Sequence, residues 1–301
     1  MQRPFFTFLG VDLGGARGKS TALVRLRLHD SDRPTLLVED CGTGKLYFDE
    51  PLLSALRVHH HQAVLAMDVP LTLPACVRCV LPCCPGLSAC QVPTVRWFAA
   101  QAGSEQANPK GKPRYTPYTQ RVTDVLLRRH LHREALSASV GPLSARAQYL
   151  RHALSDCFTL YENLIEVCPK ASLAAWFPDP PAAKQNLAVR YRDGQGQPVT
   201  ISGQPLSEVS RVARAYKRSG HAHAIREQVL DALPELVFSA GQWRETVIAN
   251  DHVFDALICA YTAYLWARDG QSLPTDPEVA PVFAEDGYIF VPSFRLRGPR
   301  P

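Results

Sequence analysis

A chain of 301 residues, of which 46% are hydrophobic, can bury a sizeable core, and this excludes an intrinsically disordered protein. No apolar run approaches the ~20 residues that cross a bilayer, and the N-terminal segment lacks the apolar stretch of a signal peptide. We therefore expect a cytoplasmic protein with no membrane partner. The net charge of +5 is compatible with a polyanionic partner but does not demonstrate one.

The order of predicted elements indicates an α/β domain. Three strands come first, followed by a short helix and a buried fourth strand, at Phe5–Asp12, Thr21–Leu28, Thr35–Glu39, Pro51–His60 and Ala63–Asp68. Helices are then predicted at Gln120–His132, Ser144–Cys157, Glu208–Arg218, Ala224–Leu233 and Asp251–Arg268. A fifth strand is predicted at Leu164–Val167 and a closing strand at Tyr288–Val291.

This order predicts a mixed five-stranded sheet with flanking helices, in one elaborated domain that spans residues 1–301. Two insertions are expected in it. The first, at about 74–117, is rich in cysteine and loops, and the second, at about 178–240, holds a small hairpin across Asp193-Gly194 and helices.

Acidic residues stand where two core strands and the start of the strongest helix are predicted. Asp12 and Asp68 end apolar runs, and in open α/β sheets ligands gather at the carboxyl ends of strands. On the helix, His252 and Asp255 are three residues apart and Asp251 and Asp255 are four apart, so both pairs share a face. Converging carboxylates repel one another, and a divalent cation relieves that repulsion.

Hard oxygen ligands suit Mg²⁺ or Mn²⁺. Two such ions about 3.5–4 Å apart can activate water and stabilise the leaving oxygen of a phosphodiester. The alternative is that Asp12 and Asp68 are turn residues at strand ends and that Asn250 or Asp251 simply caps the helix. Taken as a set, the residues favour a metal site. Glu166, on the fifth strand, is either a further ligand or the partner of a basic residue such as Arg121.

The chain also resembles the predicted RNase H-like nucleases grouped as domain of unknown function 429 (DUF429). The matching segments occur in the same order as in the family: Gly10–Asp12, Met67–Leu71, Tyr118–Arg121 with Asp124 and Arg128, Glu166–Pro169, Asp255–Ala260, and Asp286–Ile289 with Val291-Pro292. The resemblance implies an RNase H-like fold and a metal-dependent phosphodiesterase core. The helix segment is similar to the final helix of Holliday-junction resolvases of that fold, which carry an acidic residue or His at the position of His252. Before the proline of the fifth-strand motif, this chain has Cys168 where family members often carry an aromatic residue.

Five of the nine cysteines fall between Cys76 and Cys90. Cys76, Cys79, Cys84 and Cys90 have the spacing of thiolate ligands for a structural zinc ion, with Cys83 spare. An iron–sulfur cluster uses the same donors, and a loop of reduced thiols is the alternative without metal. Cys41, Cys157, Cys168 and Cys259 are expected to be free thiols.

Two further patterns have simpler explanations than ligand binding. The segment 14–21 imitates a phosphate-binding P-loop, but Leu13 stands where the first glycine is needed and a strand follows, so we interpret it as a hairpin turn. Three adjacent histidines, His59 to His61, do not share a helix face and are expected at a helix C-terminus. Basic and aromatic loop residues that could contact phosphates, or be solvated, are Arg17, Lys19, Lys110, Lys112, Arg114, Tyr115 and Tyr118.

These residues favour a Mg²⁺- or Mn²⁺-dependent nuclease that hydrolyses DNA or RNA through Asp12, Asp68 and Asp255, with His252, Asp251 or Glu166 completing the site. Two alternatives stay open. One is an ATPase or phosphotransferase on the related actin-like scaffold, for which the sequence offers the Asp12-Leu13-Gly14 turn but no second half. The other is a nucleic-acid-binding protein without catalysis. The sequence leaves the oligomeric state undetermined.

Overall fold

A seven-stranded mixed sheet forms the centre of the fold. The computed structural model describes residues 5–15, 20–30, 35–104, 116–131, 141–177, 200–201, 204–205, 216–217, 220–275 and 280–292. Numbered along the chain, the strands of the sheet lie in the order β8-β3-β2-β1-β4-β5-β9. β2 is antiparallel to both β1 and β3, and the other neighbouring pairs are parallel.

The strands are β1 Thr7–Asp12, β2 Ala22–Asp30, β3 Thr35–Thr43, β4 Ala63–Asp68, β5 Leu164–Val167, β8 Leu236–Phe238 and β9 Ile289–Phe290, with β6 Thr200–Ile201 and β7 Gln204–Pro205 in a separate pair. The α-helices of the described residues are α1 Asp49–Val58, α2 Pro93–Ser104, α3 Val122–Leu131, α4 Gly141–Ala153, α5 Pro169–Trp176, α6 Ala222–Asp231, α7 Gly241–Ala249, α8 Asp251–Arg268 and α9 Ala280–Asp286. A short 3₁₀ helix spans Gly44–Tyr47.

The α/β class is confirmed, and the number of strands is corrected from five to seven. The predicted closing strand Tyr288–Val291 corresponds to β9, Ile289–Phe290. Strand β8 was missed because it has three residues and no fully buried side chain. Helix α2 lies inside the segment that was predicted as loops. The predicted turn at Asp193-Gly194 and most of the predicted helix Glu208–Arg218 lie outside the described residues.

Two apolar layers cover the sheet. One face packs against α1 and α4, through residues such as Leu56 and Leu150. The opposite face packs against α8, which is buried on all sides from Val253 to Trp266. A helix that is apolar all round belongs in a core rather than at a surface. Helices α3, α5, α6 and α7 also contribute to this second layer. Helix α8 is therefore held between the sheet and outer helices.

Among the described residues, no helix combines the length and apolar character needed to cross a bilayer.

Candidate metal centre

Asp12 and Asp68 end adjacent parallel strands and are direct register partners. The pairing of β1 with β4 runs from Thr7 opposite Ala63 to Asp12 opposite Asp68. Side chains of register partners lie on the same face of a sheet, since the side-chain period along a strand is two. Both carboxylates therefore lie on the face that packs against α8, beyond Gly10 and Ala66.

Helix α8 brings a third carboxylate to this edge. The residue before it is Asn250, whose side chain accepts hydrogen bonds from the backbone N–H groups of His252, at 2.9 Å, and Val253, at 3.2 Å. Asn250, rather than Asp251, is thus the N-cap. Gly10 allows the helix to approach β1 closely, because a Cβ atom there would lie 2.0 Å from the backbone oxygen of Ala256. Asp255 follows one turn after the cap and is fully buried.

The three aspartates form one compact group. A carboxylate oxygen from each of Asp12, Asp68 and Asp255 lies within 4.8 Å of the other two. In the part of the chain that the structure describes, no other group of three or more His, Cys, Asp or Glu side chains brings its ligand atoms this close. The predicted convergence of residues 12, 68 and 255 is therefore present in the fold.

The electrostatics of the group are unfavourable without a cation. Burial raises the pKa of Asp68 well above its usual range, and the carboxylates of Asp12 and Asp255 raise it further. Burial also raises the pKa of Asp255 to about 6, although the ammonium group of Lys217 opposes this shift. No hydrogen bond to the Asp68 carboxylate is found within the described ranges. Buried carboxylates so close together favour either a proton or a bound cation.

His252 contacts the aspartate group directly. Its Nδ1 lies 2.6 Å from Oδ2 of Asp12, and this hydrogen bond raises the pKa of the imidazole. Its side chain is 38% exposed, so the ring joins the buried carboxylates to the surface. Asp251 is half-buried and lies outside the group of three carboxylates. The helix therefore presents His252 and Asp255, but not Asp251, to the strand ends.

Two residues at the site carried no functional signal in the sequence. The hydroxyl of Tyr216 donates to Oδ1 of Asp255 at 2.6 Å, and the ammonium group of Lys217 pairs with Oδ2. Burial lowers the pKa of Lys217, but contact with Asp255 outweighs it and raises that pKa overall. Arg226 supports the pair by donating to the backbone oxygen of Tyr216 at 2.9 Å. A Tyr-Lys pair in a polar segment looks like any solvated helix, so the sequence offers no means to single it out.

Glu166 belongs to a different network. It is the register partner of Met67, one residue short of Asp68, so its side chain starts on the opposite face from the aspartates. Arg121 donates to its two carboxylate oxygens at 2.7 and 2.6 Å and also pairs with Asp124 at 2.9 Å. All three side chains are buried. Of the two interpretations offered for Glu166, the geometry therefore favours pairing with Arg121 over binding metal with the aspartates.

The cysteine loop lies just beyond the end of β4. Cys76, Cys79, Cys84 and Cys90 line one cavity of about 200 Å³, and Cys83 is not among the residues that line it. Burial raises the pKa of the Cys76 thiol, and the neighbouring Cys90, Cys79 and Cys84 raise it further. Of the four cysteines expected to be free, Cys41, Cys168 and Cys259 are buried and Cys157 is half-buried. Cys41 lies in β3.

The segment that imitates a P-loop connects antiparallel strands. β1 pairs with β2 from Asp12 opposite Ala22, and Gly14 donates its N–H to the hydroxyl of Thr21. The hairpin interpretation is therefore confirmed. His59 caps the C-terminus of α1, where the three histidines were expected. Tyr118 is 48% exposed. The other basic and aromatic candidates lie outside the described residues: Arg17, Lys19, Lys110, Lys112, Arg114 and Tyr115.

The fold and the site together define an α/β protein that has three buried aspartates at the carboxyl edge of a mixed sheet, with a histidine and a lysine in contact with them. The profile of the family described as "Protein of unknown function (DUF429)" matches residues 10–279, a range that includes all of these residues. The chain belongs to the DUF429 family. Neither the curated proteins nor the solved structures gave a significant match.

Proposed function

We propose that the protein is a divalent-metal-dependent phosphodiesterase that cleaves DNA or RNA. The observation that carries the proposal is the convergence of Asp12, Asp68 and Asp255, with ligand oxygens within 4.8 Å of one another, at the sheet edge where α/β proteins bind ligands. Two neighbouring strands and the following long helix supply these carboxylates. That arrangement agrees with the RNase H-like core that the family resemblance implies.

The residues fit Mg²⁺ or Mn²⁺. Carboxylate oxygens are the ligands that these hard cations prefer. Asp68 is nine-tenths buried and without a hydrogen-bond partner among the described residues, and one ammonium group, that of Lys217, contacts Asp255. When bound, such ions lower the pKa of water and stabilise the charge that develops on a phosphoryl group. Asp12, Asp68 and Asp255 would hold them.

The neighbouring residues would position groups and move protons. Because Nδ1 of His252 is committed to Asp12, a proton exchanged with water or with a leaving oxygen would pass through Nε2. The hydroxyl of Tyr216 fixes the orientation of Asp255. Lys217 pairs with Asp255, and its ammonium group would be available to a substrate phosphate if that carboxylate held a divalent ion instead. Lys170 is exposed at the start of α5 and lies close enough to Asp68 to oppose the rise that burial causes in the pKa of that carboxyl group. Its ammonium group would also attract the substrate phosphate.

The test is a cleavage screen over single-stranded, duplex and branched DNA and RNA in Mn²⁺ or Mg²⁺. Asp68→Asn keeps the shape of the side chain but removes its charge, and we expect it to abolish cleavage. The matched control is Asp269→Asn, since Asp269 is exposed at the end of α8, far along the helix from Asp255. Cleavage that survives in Asp68→Asn would refute the assignment of the site.

The screen also separates the remaining alternatives. Tight binding of nucleic acid, with no cleavage in either ion and no change in Asp12→Ala, would favour a non-catalytic binding protein. Stabilisation by ATP with Mg²⁺ in a thermal-shift assay, without cleavage, would favour an actin-like phosphotransferase. Activity on a nucleic acid that requires all three aspartates would support the phosphodiesterase.

A further inference from the structure

The outer part of the long connection between β4 and α2, residues 77–89, is exposed apart from the half-buried Arg78. Residues 69–92 contain no helix or strand. A connection of this length without regular structure is uncommon in a compact domain unless it has a function. Its apolar cluster has three buried members, Ala75, Cys90 and Val95. Large apolar side chains of the loop face solvent instead, at 43–94% exposure: Val77, Val80, Leu81 and Leu87.

Both the spacing and the location of the cysteines indicate a shared ligand. Cys76 and Cys90 lie at the inner side of the loop, whereas Cys79 and Cys84 are exposed, and all four line the same cavity of about 200 Å³. The neighbouring Cys83 is exposed and does not line it. A loop that stayed a set of unrelated thiols would have no reason to direct four of five cysteines into one cavity.

We propose that Cys76, Cys79, Cys84 and Cys90 bind one zinc ion as thiolates and that this ion fixes the loop. Four thiolates complete the tetrahedral sphere of a structural zinc site, and a pair with two intervening residues is its usual first half. Iron–sulfur motifs with two, two and three, or four and two, intervening residues differ from the two, four and five found here. The four thiols lose their protons to solvent as the ion binds, so no oxidant or reductant is needed.

Binding requires the loop to close around the ion. Zinc–sulfur bonds of ~2.3 Å place tetrahedral sulfur ligands about 3.8 Å apart. No three cysteine sulfurs among the described residues lie within 4.8 Å of one another. The exposed Cys79 and Cys84 are free to move inward, because no helix or strand restrains them. The stationary side is the base of the loop, where the backbone N–H of Cys76 donates to the oxygen of Pro117 at 3.1 Å.

The base of the loop is anchored to α9 and, through it, to the start of α3. Arg78 donates to the backbone oxygen of Leu73 at 3.0 Å and pairs with Asp286 at 3.2 Å. Asp286 in turn accepts from the backbone N–H of Val122 at the start of α3, and its backbone oxygen accepts from Thr72. A bound zinc ion would therefore fix a loop that begins directly after Asp68. The zinc proposal stands independently of what the aspartates catalyse.

Elemental analysis of the purified full-length protein tests this proposal. We expect about one zinc ion per chain in the wild type, loss of most of it in Cys84→Ser, and full retention in the adjacent control Cys83→Ser. Asp68→Asn is a second control, because aspartate and histidine also bind zinc. Retention of zinc in Asp68→Asn would place the ion at the cysteines and separate this result from any outcome of the cleavage screen.

Cobalt substitution of the wild type provides a readout that does not depend on the folding of a variant that lacks a proposed ligand. Metal-free wild type and Cys83→Ser should both show the visible absorption of tetrahedral cobalt thiolate when titrated with Co²⁺, and zinc should remove it. The proposal is overturned if the wild type contains iron with visible charge-transfer absorption, or if it contains no metal and gives no cobalt spectrum. It is also overturned if Cys84→Ser retains its zinc. Loss of zinc in Asp68→Asn would likewise overturn it.

Discussion

Replacing Gly10 by Ala should disturb both the core and the metal site, because β1 and α8 meet at this glycine. The added Cβ would lie 2.0 Å from the backbone oxygen of Ala256 and 2.4 Å from the backbone nitrogen of Ala260. Real Cβ contacts are essentially never shorter than 3.0 Å, so the strand and the helix must separate by about 1 Å. Asp12 lies two residues beyond Gly10, and Asp255 directly precedes Ala256. The separation therefore pulls apart two of the three proposed ligands.

The size and sign of the effect follow from the packing. Overpacking a core costs about 1–3 kcal/mol, whereas Ala without a clash is more stable than Gly in a strand by about 0.5–1 kcal/mol. We expect a net loss of about 1 kcal/mol, or about 2 °C in Tm for a chain of this size. A displacement of about 1 Å at a catalytic site can reduce activity about 100-fold. Manganese affinity and any cleavage activity should therefore fall more steeply than stability.

Differential scanning calorimetry and calorimetric titration with Mn²⁺ measure the two effects. Gly241→Ala is the matched control, since a Cβ there meets nothing within 4 Å, and it should leave both quantities unchanged. Ala260→Gly should not rescue Gly10→Ala, because the shortest contacts involve backbone atoms. An unchanged or higher Tm in Gly10→Ala, with unchanged manganese affinity, would refute the proposed close approach.

Three further predictions concern the groups around the site. Arg121→Met should lower the free energy of unfolding in urea by about 3–5 kcal/mol, because it leaves Glu166 and Asp124 buried without their partner. The control Arg244→Met removes an exposed pair of salt bridges and should cost about 1 kcal/mol or less. Equal losses in the two variants would contradict the buried network. Burial and like charge raise the folded-state pKa of Asp68, so its ionisation costs stability as pH rises above the unfolded value near 3.8. In EDTA, Asp68→Asn should therefore gain Tm over wild type as pH rises from 4 to 7, whereas excess Mn²⁺ should stabilise wild type and not the variant; a gain that shrinks with pH would reverse the sign of the argument. Asn250→Ala should lower the free energy of unfolding by about 1 kcal/mol, because it removes the N-cap of α8. Asn250→Asp keeps a capping oxygen and should retain most of that stability in the same assay. Equal losses in the two variants would argue against the cap.

The strands and the long helix could be predicted from sequence because their patterns are unambiguous. Ala63–Asp68 and Leu164–Val167 are continuous apolar runs, and both match the observed strands residue for residue. Asp251–Arg268 likewise matches α8, since Asn250 marks its start and apolar residues fill the helix. The predicted C-terminal ends of β1 and β4 coincide with the observed ones at Asp12 and Asp68, and the predicted start of α8 places Asp255 one turn into that helix.

Other features depend on tertiary contacts that no local pattern encodes. β8 has three residues, and α9 has seven, so neither is long enough to show a period. Tyr216 and Lys217 reach Asp255 across 38 or more residues of chain, and this contact follows from the packing of α6 and Arg226. The role of Glu166 depends on strand register. The sequence left Glu166 open between a metal ligand and a partner of Arg121, because a shift of one residue in register changes the face of the sheet on which its side chain lies.

The two groups of buried carboxylates differ in how much positive charge lies next to them. Glu166 and Asp124 both contact the guanidinium group of Arg121, so that network carries a net charge of −1 and each of its carboxylates has a cationic partner. Asp12, Asp68 and Asp255 face one lysine and one histidine in direct contact, and the histidine adds charge only when protonated. A fold that keeps three carboxylates within 4.8 Å under these conditions loses stability at neutral pH. Such a loss is expected where a cation restores it by binding to the folded state, and this is the physical reason to expect metal at the aspartates and not at Glu166.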